Sequence, residues 1–302
     1  MRKSLALQAE MAEEFGTCVF DVTLDCEDGA PVGGEAEHAG LVTELALAAA
    51  PQARVAVRVH PVDHPAFGAD VATIAGRAGH RLVHLMVPKV ESVADVQLAA
   101  RTLDAAGATG LPLHVLIESP AAVHRAFDIA EHPRVQSISF GLMDFVSAHG
   151  GAIPADGMSA AGQFTHPLVV RAKLEIASAC HAHGKVPSHC VVTEFKNLDA
   201  LRHAARQASR ELGYTRMWSI HPDQIRPILA AFAPSEREVE TAAALIERAM
   251  AADWAPVQFE GRLHDRASYR YFWQVLERAH QTGLPLPDVV QACFSDAVAL
   301  RH

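Results

Sequence analysis

The chain has 302 residues, is 50% hydrophobic and carries a formal net charge of -9. That length and apolar content suit one large core, an α/β barrel of roughly 250 residues with an appendage, better than two small domains. The acidic balance, without any Lys/Arg run, excludes a nucleic-acid partner, and cysteines without a CxxC pair exclude a zinc site or disulfide framework and suit a reducing cytoplasm.

Residues 1–16 are interrupted by Gln8, Glu10, Glu13 and Glu14, which makes them an amphipathic helix and not a signal peptide. No later segment reaches transmembrane length. From there apolar strands alternate with amphipathic helices. Strands are predicted at 19–28, 54–60, 82–89, 111–118, 135–144, 186–192 and 216–221, and helices at 35–50, 69–78, 92–106, 121–131, 167–183 and 197–212. Residues 61–65 interrupt regular structure, Ser92 caps a helix, and a longer loop occupies 147–166. The βα pattern repeats seven times. Crossover helices make the sheet parallel and bury both of its faces, which is why the strands are nearly continuous in apolar residues. Seven strands leave a closed barrel one short. Two further helices, 235–252 and 267–281, follow with no strand-like run between them, and 285–302 reads as a docking helix. Domain limits of 1–232 and 233–302 result.

The strands that end on Glu118 and Asp144 carry the chemistry. Pro120 opens a helix at its N1 position, so Glu118 stands at the carboxyl end of its strand, and Asp144 takes the same place on the next. Two acidic side chains on one rim form a hard oxygen site of the kind Mg²⁺ accepts, with substrate and water completing it. The alternative is an N-capping Asp beside a solvated Glu. Asp25, Glu27 and Asp28 repel one another unless a cation or backbone N–H groups compensate, and one of them is expected to face the site. Arg58, inside an apolar strand, either pairs with a buried carboxylate or holds an anionic substrate. Lys89 and Glu91 form a rim salt bridge or contact substrate. His221 ends the last strand and hydrogen-bonds across the rim. His60, His166, His181 and His189 lack HxxxH spacing and read as surface or satisfied core groups.

Six motifs in order, Leu24-Asp-Cys-Glu-Asp-Gly-Ala30, Val57-Arg-Val59, Val87-Pro-Lys-Val-Glu91, Ile117-Glu-Ser119, Phe140-Gly-Leu-Met-Asp144 and Ser219-Ile-His-Pro-Asp-Gln-Ile225, resemble the HpcH/HpaI aldolase and citrate lyase β-subunit superfamily. The similarity is greatest to its CoA-ester lyases of malyl-CoA and citramalyl-CoA type, and it spans about residues 19–278. The resemblance implies a TIM (β/α)8-type barrel, here without its first strand, with a C-terminal helical lid. It implies Mg²⁺, with Mn²⁺ as the alternative ion, on Glu118 and Asp144, with Arg58 and Glu27 in the site and Lys89 and Arg58 binding substrate. It assigns the acid/base to Asp265, carried on the lid into a neighbouring subunit of a cytoplasmic homo-oligomer, a trimer or hexamer. The implied reaction is reversible cleavage of a 3-hydroxyacyl-CoA thioester, such as malyl-, citramalyl- or citryl-CoA, into an acyl-CoA and a 2-oxo acid. A metal-dependent class II aldolase acting on a free 2-oxo acid without CoA, and a non-catalytic paralogue, are the competing assignments.

Three departures from that family pattern shape further expectations. No counterpart of its opening strand precedes Val19, so a truncation or late start is expected to leave 19–28 with one poorly paired edge. The stretches 187–194 and 214–218 differ from the family's usual sequences and mark a divergent subgroup.

Overall fold

The computed structural model describes residues 1–299, which form two units: 1–9 with 20–232, and 10–19 with 233–299. Helix α1 (Arg2–Phe15) contributes to both. In the first unit seven parallel strands lie in sequence order: β1 (Val22–Asp25), β2 (Val55–Arg58), β3 (Leu82–Val87), β4 (Leu113–Ile117), β5 (Val135–Phe140), β6 (Val186–His189) and β7 (Arg216–Met217). Helices α2 (Glu35–Ala48), α3 (Phe67–Ala78), α4 (Val93–Ala105), α5 (Pro120–His124), α6 (Ala126–Glu131), α7 (Leu142–Ser147), α8 (Pro167–Ala182), α9 (Leu198–Arg210) and α10 (Ile225–Phe232) complete it. This is a seven-stranded parallel sheet of TIM-barrel type. Among the described residues no helix is long and apolar enough to cross a membrane.

The alternation of the strands divides their side chains. Leu24, Val55, Val57, Leu85, Val87, Val115, Ile117, Ile138 and Phe140 join one apolar cluster with residues of α2, α3, α4 and α8. That packing fixes the register, because a slip of one residue would exchange the two faces. The other face is unusually polar for a barrel interior, which is ordinarily filled by branched apolar side chains. His114 is buried there between two serines, its ring nitrogens 2.8 Å from Ser137 Oγ and 2.8 Å from Ser139 Oγ. His84 lies beside it, ring centroids 5.1 Å apart, with both ring nitrogens buried and without a hydrogen bond.

Several elements are shorter than the apolar runs suggest. β1 stops at Asp25 because that carboxylate accepts from the N–H groups of Glu27 and Gly29, turning the chain. β5 stops at Phe140, and Asp144 sits in the first turn of α7 and not on the strand. The single helix expected at 121–131 is broken at Arg125, where the guanidinium donates to Glu91 O at 3.0 Å. Ser92 makes its capping box, with Asp95 as the reciprocal partner.

β1 and β7 share no ladder. Side chains join them instead: Asp21 binds Arg216 directly and Arg54 at 2.5 Å. Burial opposes ionisation of Asp21, but the two guanidinium groups outweigh it and hold its carboxyl below the ordinary value. At the same end Gln8 of α1 donates to Phe20 O and Arg54 O at 2.8 and 2.9 Å, tying the entries of β1 and β2 together.

The buried histidines make stability depend on pH. Burial holds His84 down at about 4 and keeps His114 and His189 well below the ordinary imidazole value. In the unfolded chain each titrates at about 6.5, so below that pH the unfolded state binds more protons. The contribution of the neutral rings is complete above about pH 6.5 and is lost as pH falls towards 4, each ring costing up to about 1.4 kcal/mol per pH unit. Melting temperature should therefore decline between pH 7 and 4.5, with a shallower slope in His84→Leu. A flat profile across that window in the wild type would rule out this contribution.

The second unit contains α11 (Glu236–Ala251), a two-stranded hairpin of β8 (Val257–Phe259) and β9 (Arg262–His264), α12 (Arg266–Gln281) and α13 (Asp288–Ala299). The hairpin corrects the expectation that no strand lies between the two long helices. Its signal is weak because each strand has three residues and exposes polar side chains, and the turn is Glu260-Gly261 and not Asn-Gly. Both turn residues have positive φ, 46° and 75°, the type I′ geometry that matches strand twist. Gly261 is thus a turn residue. Tyr269 Oη donates to Ala255 O at 2.7 Å and contacts His264 O at 3.1 Å, anchoring the hairpin to α12 over a core of Val239, Leu245, Ile246, Val275 and Leu276.

Candidate active site

Glu118 follows the last residue of β4 and is 6% exposed. The chain leaves it in order because Ser119 caps α5 and Pro120 takes the N1 position. Its carboxylate accepts from the Lys89 backbone N–H at 3.1 Å, and Lys89 is held at φ 52°, in the left-handed region uncommon for non-glycine residues. Asp144 approaches from α7 closely enough for its charge to act on the Glu118 carboxyl. Burial first, and then the charge of Asp144, push the Glu118 carboxyl up to about 8. A buried Glu118 crowded by the half-buried Asp144 suits a cation shared between them, and the all-oxygen donor set is that of a hard divalent ion. These residues fit Mg²⁺. Among the described residues no group of three or more His, Cys, Asp or Glu is placed to hold a metal; an ion held by Glu118 and Asp144 would take further ligands from water and substrate oxygens, as is usual for Mg²⁺.

Gly141 makes the approach feasible. A Cβ there would stand 2.5 Å from Glu118 Cγ and 2.8 Å from its Oε2. Gly141→Ala is therefore expected to displace the carboxylate and weaken Mg²⁺ binding at least about tenfold, or about 1.4 kcal/mol, read by calorimetric titration. Wild-type affinity in that variant would show that Glu118 is not where the ion binds.

Arg58, the last residue of β2, meets a ring of carboxylates. Its Nε and Nη2 donate to Asp25 Oδ1 and Oδ2 at 2.6 and 2.5 Å, and its Nη1 lies 2.7 Å from Glu27 Oε2. Lys89 Nζ donates to Glu27 Oε1 at 2.5 Å. Asp28 is more distant, 3.8 Å from both cations, and largely exposed. Trp218, just beyond β7, places its ring 5.2 Å from the Arg58 guanidinium carbon. The structure thus brings together Arg58, Glu27 and Lys89, and connects Lys89 to Glu118. Gly141 and Trp218 were not singled out by the sequence, and Asp25 was named only as one of three unranked carboxylates. A glycine and a lone tryptophan gave no chemical signal.

Asp265 belongs to the second unit and caps α12, accepting from Ala267 N at 3.0 Å and Ser268 N at 3.4 Å. Glu91 accepts from Ser119 Oγ at 2.8 Å and makes no salt bridge to Lys89 among the described residues. His221 accepts from its neighbour Asp223 N at 3.2 Å and stacks on Phe195, so its bonding is local. His60, His181 and His189 bond Asp70, Gly213 O and Cys190 O, whereas His166 Nδ1 is buried without a partner.

Comparison with known proteins follows the same lines. The profile of the HpcH/HpaI aldolase/citrate lyase family matches residues 4–222. An L-malyl-CoA/β-methylmalyl-CoA lyase of Cereibacter sphaeroides is 32% identical over 243 residues, 74% of this chain and 76% of that protein. A citrate lyase subunit β-like protein of Deinococcus radiodurans is 31% identical over 254 residues, 81% of this chain and 84% of its own. Among solved structures, a citrate lyase from Burkholderia xenovorans superposes with a TM-score of 0.81 at 48% identity, covering 96% of this chain and 91% of that one. Protein CitE of Mycobacterium tuberculosis, in complex with magnesium, acetoacetate and coenzyme A, shares the fold at a TM-score of 0.68 and 22% identity, over 91% of this chain and 94% of its own.

Proposed function

We infer that this chain, which belongs to the HpcH/HpaI aldolase/citrate lyase family, is a Mg²⁺-dependent carbon–carbon lyase acting reversibly on a 3-hydroxyacyl-CoA thioester of the malyl, citramalyl or citryl type. The observation that carries it is the pairing of buried Glu118 with half-buried Asp144, whose mutual repulsion a divalent ion would relieve. Relatives named as malyl-CoA lyase and citrate lyase β-like support the substrate class.

In cleavage, the bond breaks between the carbon bearing the hydroxyl and the carbon α to the thioester. The hydroxyl loses its proton and becomes the carbonyl of the 2-oxo acid, and the α-carbon ends by taking up a proton as the acyl-CoA leaves. Bound Mg²⁺ supplies Lewis acidity that lowers the cost of negative charge on the hydroxyl oxygen. Glu118 and Asp144 would hold the ion. Arg58 offsets charge on the substrate's anionic oxygens, with Glu27 and Lys89 fixing its surroundings. Asp265 exchanges the proton at the α-carbon, carried by the C-terminal unit as a lid over a neighbouring subunit of a homo-oligomer.

The test is incubation with Mg²⁺ and a panel of malyl-, citramalyl- and methylmalyl-CoA, with detection of the released 2-oxo acid. Release from at least one thioester is expected. Cleavage of free 4-hydroxy-2-oxo acids alone would instead identify an aldolase that works without CoA, and no cleavage of either class would mark a non-catalytic paralogue.

A further inference from the structure

The environment of Arg58 separates its nitrogens into two classes. Asp25 takes Nε and Nη2 in a bidentate fork, and is itself held by the N–H groups of Glu27 at 3.1 Å and Gly29 at 2.9 Å. Gly29 is required for that arrangement, because a Cβ there would stand 2.5 Å from Asp25 Oδ2. Nη1 is different. It faces Glu27 Oε2 at 2.7 Å, yet that buried oxygen has no aligned hydrogen bond, and buried acceptors in this state are rare without a functional or solvent explanation. The Trp218 ring adds a cation–π contact. Trp218 reaches Arg58 from the far edge of the sheet, two residues after Arg216, which grips Asp21 across the same unladdered seam.

We propose that Asp25 and Trp218 are positioning residues that lock Arg58 so that Nη1 is the nitrogen offered to a carboxylate or enolate oxygen of the substrate. The identity of that oxygen rests on the lyase assignment; the clamp rests on geometry alone. A planar fork held on one edge by Asp25 and lying over a ring has little freedom to turn, so Nη1, whose nearest partner is the unaligned Glu27 Oε2, is the nitrogen placed to serve a ligand.

Two kinds of measurement test it. In steady-state kinetics, Asp25→Asn and Gly29→Ala should each lower kcat at least tenfold while Mg²⁺ affinity, measured by calorimetry, stays within twofold of the wild type. Trp218→Leu, which removes the π face, should lose more kcat than Trp218→Phe, which keeps one. Independently of any lyase activity, the rate at which phenylglyoxal modifies Arg58, followed by peptide mass spectrometry, should rise at least threefold in Asp25→Asn and Trp218→Leu, with Arg54 and Arg216 reacting as in the wild type. Gly29→Ala provides the same reading should Asp25→Asn fail to fold. If the wild type cleaves no thioester, faster Arg58 modification still upholds the clamp. Unchanged Arg58 modification in all folded variants, or a rise shared equally by Arg54 and Arg216, overturns it.

Discussion

Glu118→Gln and Asp144→Asn are each expected to abolish Mg²⁺-dependent turnover while leaving the chain folded. Each substitution keeps the side-chain volume and removes the charge on which a hard cation depends. Folding should not suffer, because the Glu118 carboxyl is already pushed up to about 8 without a cation and the amide resembles its protonated form. A folded-state value raised above the unfolded one contributes stability at low pH that is lost as pH rises from about 4.5 towards 8, so the ion-free protein should weaken over that interval. Mg²⁺ reverses the effect by competing with the proton. The rise in melting temperature caused by Mg²⁺ should therefore be larger at pH 9 than at pH 6 in the wild type and absent from Glu118→Gln. Retained turnover and retained metal dependence in both variants would dismiss these two residues as the metal site.

Asp265→Asn is expected to lower turnover by about 10² or more, the scale of a lost general acid or base, with no change in melting temperature. Asparagine caps helices about as well as aspartate, so the variant preserves the hydrogen bonds to Ala267 and Ser268 and separates proton transfer from capping. An Asp265→Asn protein mixed with a Glu118→Gln protein, under conditions that exchange subunits, should regain activity where an intact carboxylate pair meets a neighbour's intact Asp265. Wild-type turnover in Asp265→Asn would leave the residue as a helix cap alone. Absence of recovery despite demonstrated exchange would confine its action to its own subunit.

The order of strands and helices in the first unit was legible because each buried strand is a short apolar run closed by a breaker, and such runs seven times over admit little but a parallel sheet. Glu118 was legible for the same reason: a carboxylate ending an apolar run next to a helix-starting proline has one place to stand. Asp144 was named but placed on the strand, since Gly141, the N-cap of α7, is silent in a periodicity. The three acids of 25–28 could not be ranked from sequence. Their roles depend on the chain folding back so that Asp25 receives two backbone N–H groups and faces Arg58 while Asp28 is left in solvent. The hairpin at 257–264 was hidden because its strands bury little, and the polar face holding His84 and His114 was hidden by the apolar residues that alternate with them.

The seam between β1 and β7 has a kinetic consequence. All other strand pairs join neighbours in sequence, whereas Asp21 and Arg216 are 195 residues apart. Long-range contacts of this kind must overcome loop-closure entropy before they contribute anything, so they form after the local βα units have assembled. The Asp21 cluster then belongs to the native state and not to the folding transition state. Asp21→Asn should accordingly speed unfolding and leave the refolding rate nearly unchanged. A chevron in which the refolding limb carries the change would place closure of the ring at the start of folding, with Asp21 and Arg216 as part of its nucleus.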